Sequence, residues 1–142
     1  MSVTGITARC YCGHVSMRKP RPSLTVAFCH CKDCQPWTGS PAPAFAAFAP
    51  KDLTTQPPHG APAFTNPSVS RWNFKDCGSP LAAALEYIPD QIYVLLGLIY
   101  QANQLLAEIH CFSKKQLPWL HIEDNAARGI GTARDALVEE PE

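Results

Sequence analysis

Short apolar runs punctuated by glycine and proline dominate the chain, and they predict strands. Gly5 to Arg9 and the stretch in which Val15 and Met17 alternate with Ser16 and Arg18 read as two strands. The turn between them, Cys10-Tyr11-Cys12-Gly13, places glycine directly after the second thiol, where a sharp reversal needs positive φ. Leu24 to Phe28 is a short β-prone run, and Ala44 to Ala49 is bracketed at strand length by Pro43 and Pro50. Val69 to Phe74, Ile92 to Leu96 and Leu105 to Phe112 complete the clear strands. Leu81 to Ile88 is different, because Leu81, Leu85 and Ile88 recur at helical spacing with alanines between them. A cysteine-glycine turn before it and the Pro89-Asp90 turn after it predict a hairpin strand over Leu81 to Glu86 instead.

The connections are rich in turn formers. Gln35 to Pro41 predicts a turn in which Thr38 and Ser40 cap the backbone or meet a ligand, and Gln56 to Pro62 predicts an exposed loop with His59 solvated. Arg18-Lys19-Pro20-Arg21-Pro22 reads as a stiff, solvated basic loop. His110 and Cys111 sit in an apolar strand, where burial and hydrogen bonding account for them. One domain over residues 1–125 is expected, with 126–142 as a surface arm or loose helix.

Composition narrows the chemistry. The 142 residues, 46% of them hydrophobic, suffice for one modest core. Twelve basic side chains balance twelve acidic ones, which argues against a broad nucleic-acid or membrane footprint and for a small ligand. Seven cysteines is an odd count, and six of them lie in tight groups or beside glycine turns, which suits metal binding in a reducing compartment better than disulfides. The N-terminal residues have no basic-then-apolar leader pattern and no long apolar run follows, so a cytoplasmic protein is expected.

The densest group is Cys29-His30-Cys31-Lys32-Asp33-Cys34, spaced C-x-C-x-x-C. Soft sulfur donors that converge in tetrahedral geometry select zinc, and three protein ligands leave one corner open. An open corner points to chemistry; a distant fourth ligand would make the site a structural staple. Cys10 and Cys12 need a partner from elsewhere, and Cys77-Gly78 supplies it.

Cys10-x-Cys12-Gly13, Cys29-His30-Cys31-x-x-Cys34, Thr38-Gly39-Ser40, Cys77-Gly78-Ser79-Pro80-Leu81 and Leu117-Pro118-Trp119-Leu120-His121-Ile122 occur in that order. This series resembles the glutathione-dependent formaldehyde-activating enzyme family, which includes centromere protein V. The resemblance implies a mainly β fold of several small antiparallel sheets around cysteine zinc knuckles, with little helix. It also implies a carbon–sulfur lyase activity joining glutathione, or a similar small thiol, to formaldehyde. By position Cys29, Cys31 and Cys34 correspond to catalytic zinc ligands, and Cys10, Cys12 and Cys77 to three of four structural ligands.

One departure stands out. The family's third motif is C-x-x-C-G, but this chain has Phe74-Lys75-Asp76-Cys77-Gly78, so a phenylalanine replaces a structural thiolate. Either His14 or Asp76 steps in, or the second zinc site is weak or empty and Phe74 has joined the core. Two functions are compatible with the whole: a zinc-dependent lyase acting on a thiol–aldehyde adduct, and a non-catalytic zinc module that binds a protein partner.

Overall fold

The structure, a computed structural model, describes residues 5–20, 25–58, 60–66 and 68–132. Its strands form two sheets. The smaller is antiparallel and takes β1 (Ile6–Arg9), β2 (Ser16–Lys19) and β5 (Thr54–Gln56) in that order. The larger has eight strands. Across it run β11 (Ala127–Arg128), β10 (Ile109–Cys111), β3 (Thr25–Cys29), β4 (Ala44–Phe48), β9 (Ile92–Leu95), β8 (Pro80–Leu85), β7 (Val69–Asn73) and β6 (Phe64–Asn66). A single-turn helix, α1 (Cys34–Thr38), follows β3. The fold is mainly β, as the sequence implies.

Strand pleating gives the larger sheet two chemically different faces. Val26, Ala46, Phe48, Ala82 and Val94 point one way and pack against Ile6, Ala8, Val15 and Met17 of the smaller sheet, forming the core. Each large apolar side chain so buried contributes about 2 kcal/mol. The residues between them, Ala27 and Cys29 on β3, Phe45 and Ala47 on β4 and Ala83 on β8, turn to the other face and line a cavity.

The helical spacing at Leu81 dissolves in this arrangement. The β7–β8 register shifts between Trp72 and Asn73, whose partners are Ala82 and Pro80, so Leu81 is the extra residue of a bulge. Leu81 and Ile88 are buried while Leu85 lines the cavity, so the three apolar residues never share a helix face.

Several other expectations change. The strand foreseen over Leu105 to Phe112 shrinks to Ile109–Cys111, and it runs parallel to β3. Glu108 instead receives hydrogen bonds on its side chain from Thr25 Oγ1 and the Val26 amide, both at 3.2 Å. Lys19, read as part of a solvated loop, is buried at the end of β2 with Nζ 3.9 Å from Asp52. Arg21, Pro22, Leu24 and His59 lie outside the described residues. The segment past 125 is no loose arm as far as it is described: Ala127–Arg128 pairs parallel with β10, and Thr132 is buried. Neither β5 nor β6 was foreseen.

Candidate metal centre and adjoining cavity

Cys29 closes β3, Cys31 lies in the turn that follows and Cys34 opens α1. Their sulfurs all lie within 4.8 Å of one another. The local backbone holds them there. The Cys34 amide donates to Cys31 Sγ at 3.2 Å, and the Gln35 amide donates to the Cys31 carbonyl at 3.2 Å. Gly39 ends the helix at φ 78°, a left-handed cap that glycine takes without strain. Thr38 and Ser40, left open between capping and ligand binding, bond backbone here: Thr38 Oγ1 donates to the Cys34 carbonyl, and Ser40 Oγ accepts from the Ala42 amide.

Without a cation, three sulfurs this close cannot all ionise. Hydrogen bonds from Cys29 and then Cys34 draw the Cys31 thiol down to about 2. Cys29 is driven far up, chiefly by its hydrogen bond to Cys31. Cys34 is pulled down by Cys29, but the bond to Cys31 and burial outweigh this and push it up to about 11. A divalent ion removes that conflict by favouring all three thiolates. The spacing also fits, since zinc–sulfur bonds of about 2.3 Å put tetrahedral sulfurs about 3.8 Å apart. The donor set therefore suits zinc.

Arg71, on β7, reaches across to this group. Its Nη2 bonds the Asp33 carboxylate and lies 3.6 Å from Cys34 Sγ, while its guanidinium carbon sits 4.4 Å from the centre of the Trp37 ring. Trp37 is itself fixed by a 2.9 Å bond from Nε1 to Asn73 Oδ1. Burial works against the arginine's charge, but the Asp33 bond and the sulfur beside it hold its pKa up. The other guanidinium nitrogen, Nη1, is buried and has no hydrogen-bond partner among the described residues. Leaving such a donor unpaired costs about 1–3 kcal/mol.

Cys29, Cys31, Cys34 and Arg71 open onto a cavity of about 300 Å³ on the second face of the large sheet. Cys111, level with Cys29 in the β10–β3 ladder, lines it too. So does Phe112, held at φ 52° in a left-handed conformation that costs a non-glycine residue about 1–2 kcal/mol.

Behind the cysteines runs a buried polar chain. His30 Nε2 is 2.8 Å from His110 Nδ1, and His110 Nε2 is 2.8 Å from Asp124 Oδ2. Both rings are fully buried and stacked, with Phe28 against His110 at 4.7 Å. Burial, then His110, lowers the His30 pKa, which favours the neutral ring. The consistent set of roles has His110 Nε2–H donating to the Asp124 carboxylate, which leaves His110 Nδ1 to accept from His30 Nε2–H. The hydrogen bond from His110 holds Asp124 down to about 2, helped by Arg128 at 2.9 Å. The chain thus ties the Cys29–Cys31 turn to the segment after residue 123.

The second thiol group forms where the β1–β2 connection meets the β7–β8 connection. Cys10, Cys12 and Cys77 also bring their sulfurs within 4.8 Å, with Cys10 and Cys12 3.6 Å apart. Gly13 at φ 85° and Gly78 at φ 79° make the two turns that present them. Ser79 bonds the Cys77 sulfur at 3.4 Å and draws that thiol down to about 6. Phe74 packs against the core and stacks on His14, ring centres 5.3 Å apart. Neither His14 nor Asp76 brings a ligand atom within 4.8 Å of all three sulfurs, so the suggested substitutes do not join the group.

A profile of the glutathione-dependent formaldehyde-activating enzymes matches residues 5–115. The chain belongs to that family. The match takes in both thiol groups and stops before the Leu117–Ile122 motif. No curated protein matches the chain. Its fold is similar to the crystal structure of a Rhodobacter sphaeroides protein from structural genomics, with TM-score 0.52 and 15% identity. That likeness covers 86% of this chain and 98% of the other, and it speaks for the fold alone. Within this formaldehyde-activating-family chain, sequence reasoning found both thiol groups and missed Arg71, Asp33 and Asp124. Arg71 had no motif to mark it, and only the β7–β8 pairing carries it to the cysteines.

Proposed function

We propose that the protein is a zinc-dependent carbon–sulfur lyase acting on the adduct of glutathione, or another small thiol, with formaldehyde or a related aldehyde. The observation that carries this reading is a three-thiol group opening onto a largely apolar cavity that Arg71 also lines. Cys29, Cys31 and Cys34 would hold the zinc. When bound, the ion supplies positive charge at an open position, which lowers the pKa of a thiol there.

The reaction joins sulfur to a carbonyl carbon. The S–C bond forms, the C=O double bond becomes single and the thiol proton ends on oxygen; the lyase direction reverses each change. Charge therefore develops on that oxygen. Arg71, which lines the cavity, is the cation available to it, held by Asp33 and by Trp37 against its face. The largely apolar walls lower the local dielectric and strengthen that interaction. The His30–His110–Asp124 chain fixes the backbone that carries two of the thiols and is a positioning element. None of the seven cysteines, all of them among the described residues, is joined in a disulfide, which is compatible with a reducing, cytoplasmic setting.

The test is calorimetric titration of the zinc-loaded protein with glutathione, followed by NMR detection of S-hydroxymethylglutathione formation and breakdown. Binding with accelerated exchange is expected. A protein that binds zinc but neither binds glutathione nor speeds exchange would contradict the lyase reading and favour a partner-binding module.

A further inference from the structure

The walls of the cavity say more about its occupant than the thiols do. Along β3, side chains facing the cavity change from Cys29 to Ala27 to Thr25, a distance of about 13 Å. Across the sheet the register runs Thr25 to Ala47 to Tyr93 to Ala83 to Arg71 over five neighbouring strands. Alanines at 27, 47 and 83 leave the floor low, and Phe45, Val69 and Leu85 add hydrocarbon around it. The Tyr93 hydroxyl donates to Gln91 at 2.7 Å.

Charge is scarce there. Arg71 is the cation, and its charge is already answered by Asp33 and by the sulfur of Cys34. What it still offers an occupant is a charge-assisted hydrogen bond rather than an unanswered charge. Burying an ammonium or carboxylate without a partner is costly, so the charged ends of a tripeptide such as glutathione are poor tenants of this space. At about 300 Å³ the cavity is also at the small end of the range for small-molecule sites, roughly 300–1,000 Å³.

Resting on the lyase reading above, we infer that the adduct carries a hydrocarbon substituent of several carbons, which lies in this cavity with its sulfur at Cys29, Cys31 and Cys34 and its hydroxyl at Arg71. Sulfur, oxygen and hydrocarbon then meet thiols, N–H and apolar wall in turn. The chain could enter on the aldehyde carbon or on the thiol sulfur; the bond changes are the same in both.

Three homologous series read the inference. The first is n-alkanols, which need neither zinc nor thiol chemistry, followed by calorimetry on the protein as purified. The second is n-alkanethiols on the zinc-loaded protein. The third is glutathione with n-aldehydes of rising length, followed by exchange rate. Affinity or kcat/KM should rise about fourfold per added methylene until the cavity is full. Ala47→Leu and Ala83→Leu, which fill the floor from different strands, should flatten the rise and leave zinc content unchanged. A gain with thiols alone puts the chain on sulfur, and one with aldehydes alone puts it on carbon; each sustains the inference. Flat responses in every series would overturn it, even where glutathione and formaldehyde exchange well. Steep alkanol binding with no exchange of any pair would instead sustain the apolar site and sink the lyase reading.

Discussion

The two cysteine groups use the same donors at the same spacing, yet they sit in different surroundings. Cys29, Cys31 and Cys34 come from six consecutive residues, so assembling them costs little chain entropy. Cys10, Cys12 and Cys77 close a loop of more than sixty residues, a penalty about 2 kcal/mol larger on the logarithmic scale. The first group faces a cavity and is braced by Arg71 and the histidine chain. The second faces solvent at Cys12 and is bounded by the Phe74–His14 stack where a fourth ligand belongs. Thiol count is therefore a poor guide to role; what the thiols face decides it.

The comparison breaks most sharply at Cys31. Cys31→Ser removes the sulfur that accepts the Cys34 amide, and zinc affinity at the cavity site should fall by more than about 100-fold, beyond the loss expected for an outer-sphere partner. Exchange activity should vanish with it, while Cys12→Ser leaves activity nearly intact. Loss of activity in both variants would show that the groups act together.

Arg71→Met comes next. It removes the N–H proposed for the substrate oxygen, and kcat should drop about 100-fold with zinc content unchanged. Equal kcat would mean the arginine only pairs with Asp33.

Phe74→Cys sharpens the contrast from the other side. Restoring a thiolate beside Cys10, Cys12 and Cys77 should raise zinc affinity there by about tenfold or more, and the melting temperature by several degrees in zinc. No change in either would mean that the site is already complete.

The smallest effect is a pH dependence. Asp124 is held at about 2, against about 3.9 when unfolded, so its contribution to stability is complete above pH 4 and is lost as the pH falls towards 2. Asp124→Asn should lower the melting temperature by a few degrees at neutral pH and flatten the decline between pH 4 and 2. An unaltered acid profile would show that the His110 bond does not stabilise the fold.

Much of this architecture was legible because its signals are local. Thiol spacing, knuckle glycines and proline-bracketed strands can be read within a few residues, and Phe74 announced the altered second group. The strand at Leu81 was legible only through its flanking turns, because a bulge sends Leu81 and Leu85 to opposite faces and imitates a helix. The rest was hidden for one reason, sequence distance. Arg71 lies 37 residues from Cys34, and His110 lies 80 from His30. His110 read as an ordinary strand histidine, and Asp124 carried no signal of its own, until β10 and β11 joined the sheet beside β3. The two short strands β5 and β6 carry no strong pattern and form because neighbouring strands offer them free edges.

Graded chelator titration of the zinc-loaded protein, with metal content followed by native mass spectrometry, tests the difference between the two groups most directly. The account predicts two steps: zinc leaves the weaker Cys10–Cys12–Cys77 group first, and glutathione binding persists until the second step removes the ion beside Arg71. A single step, or loss of glutathione binding with the first ion released, would contradict it.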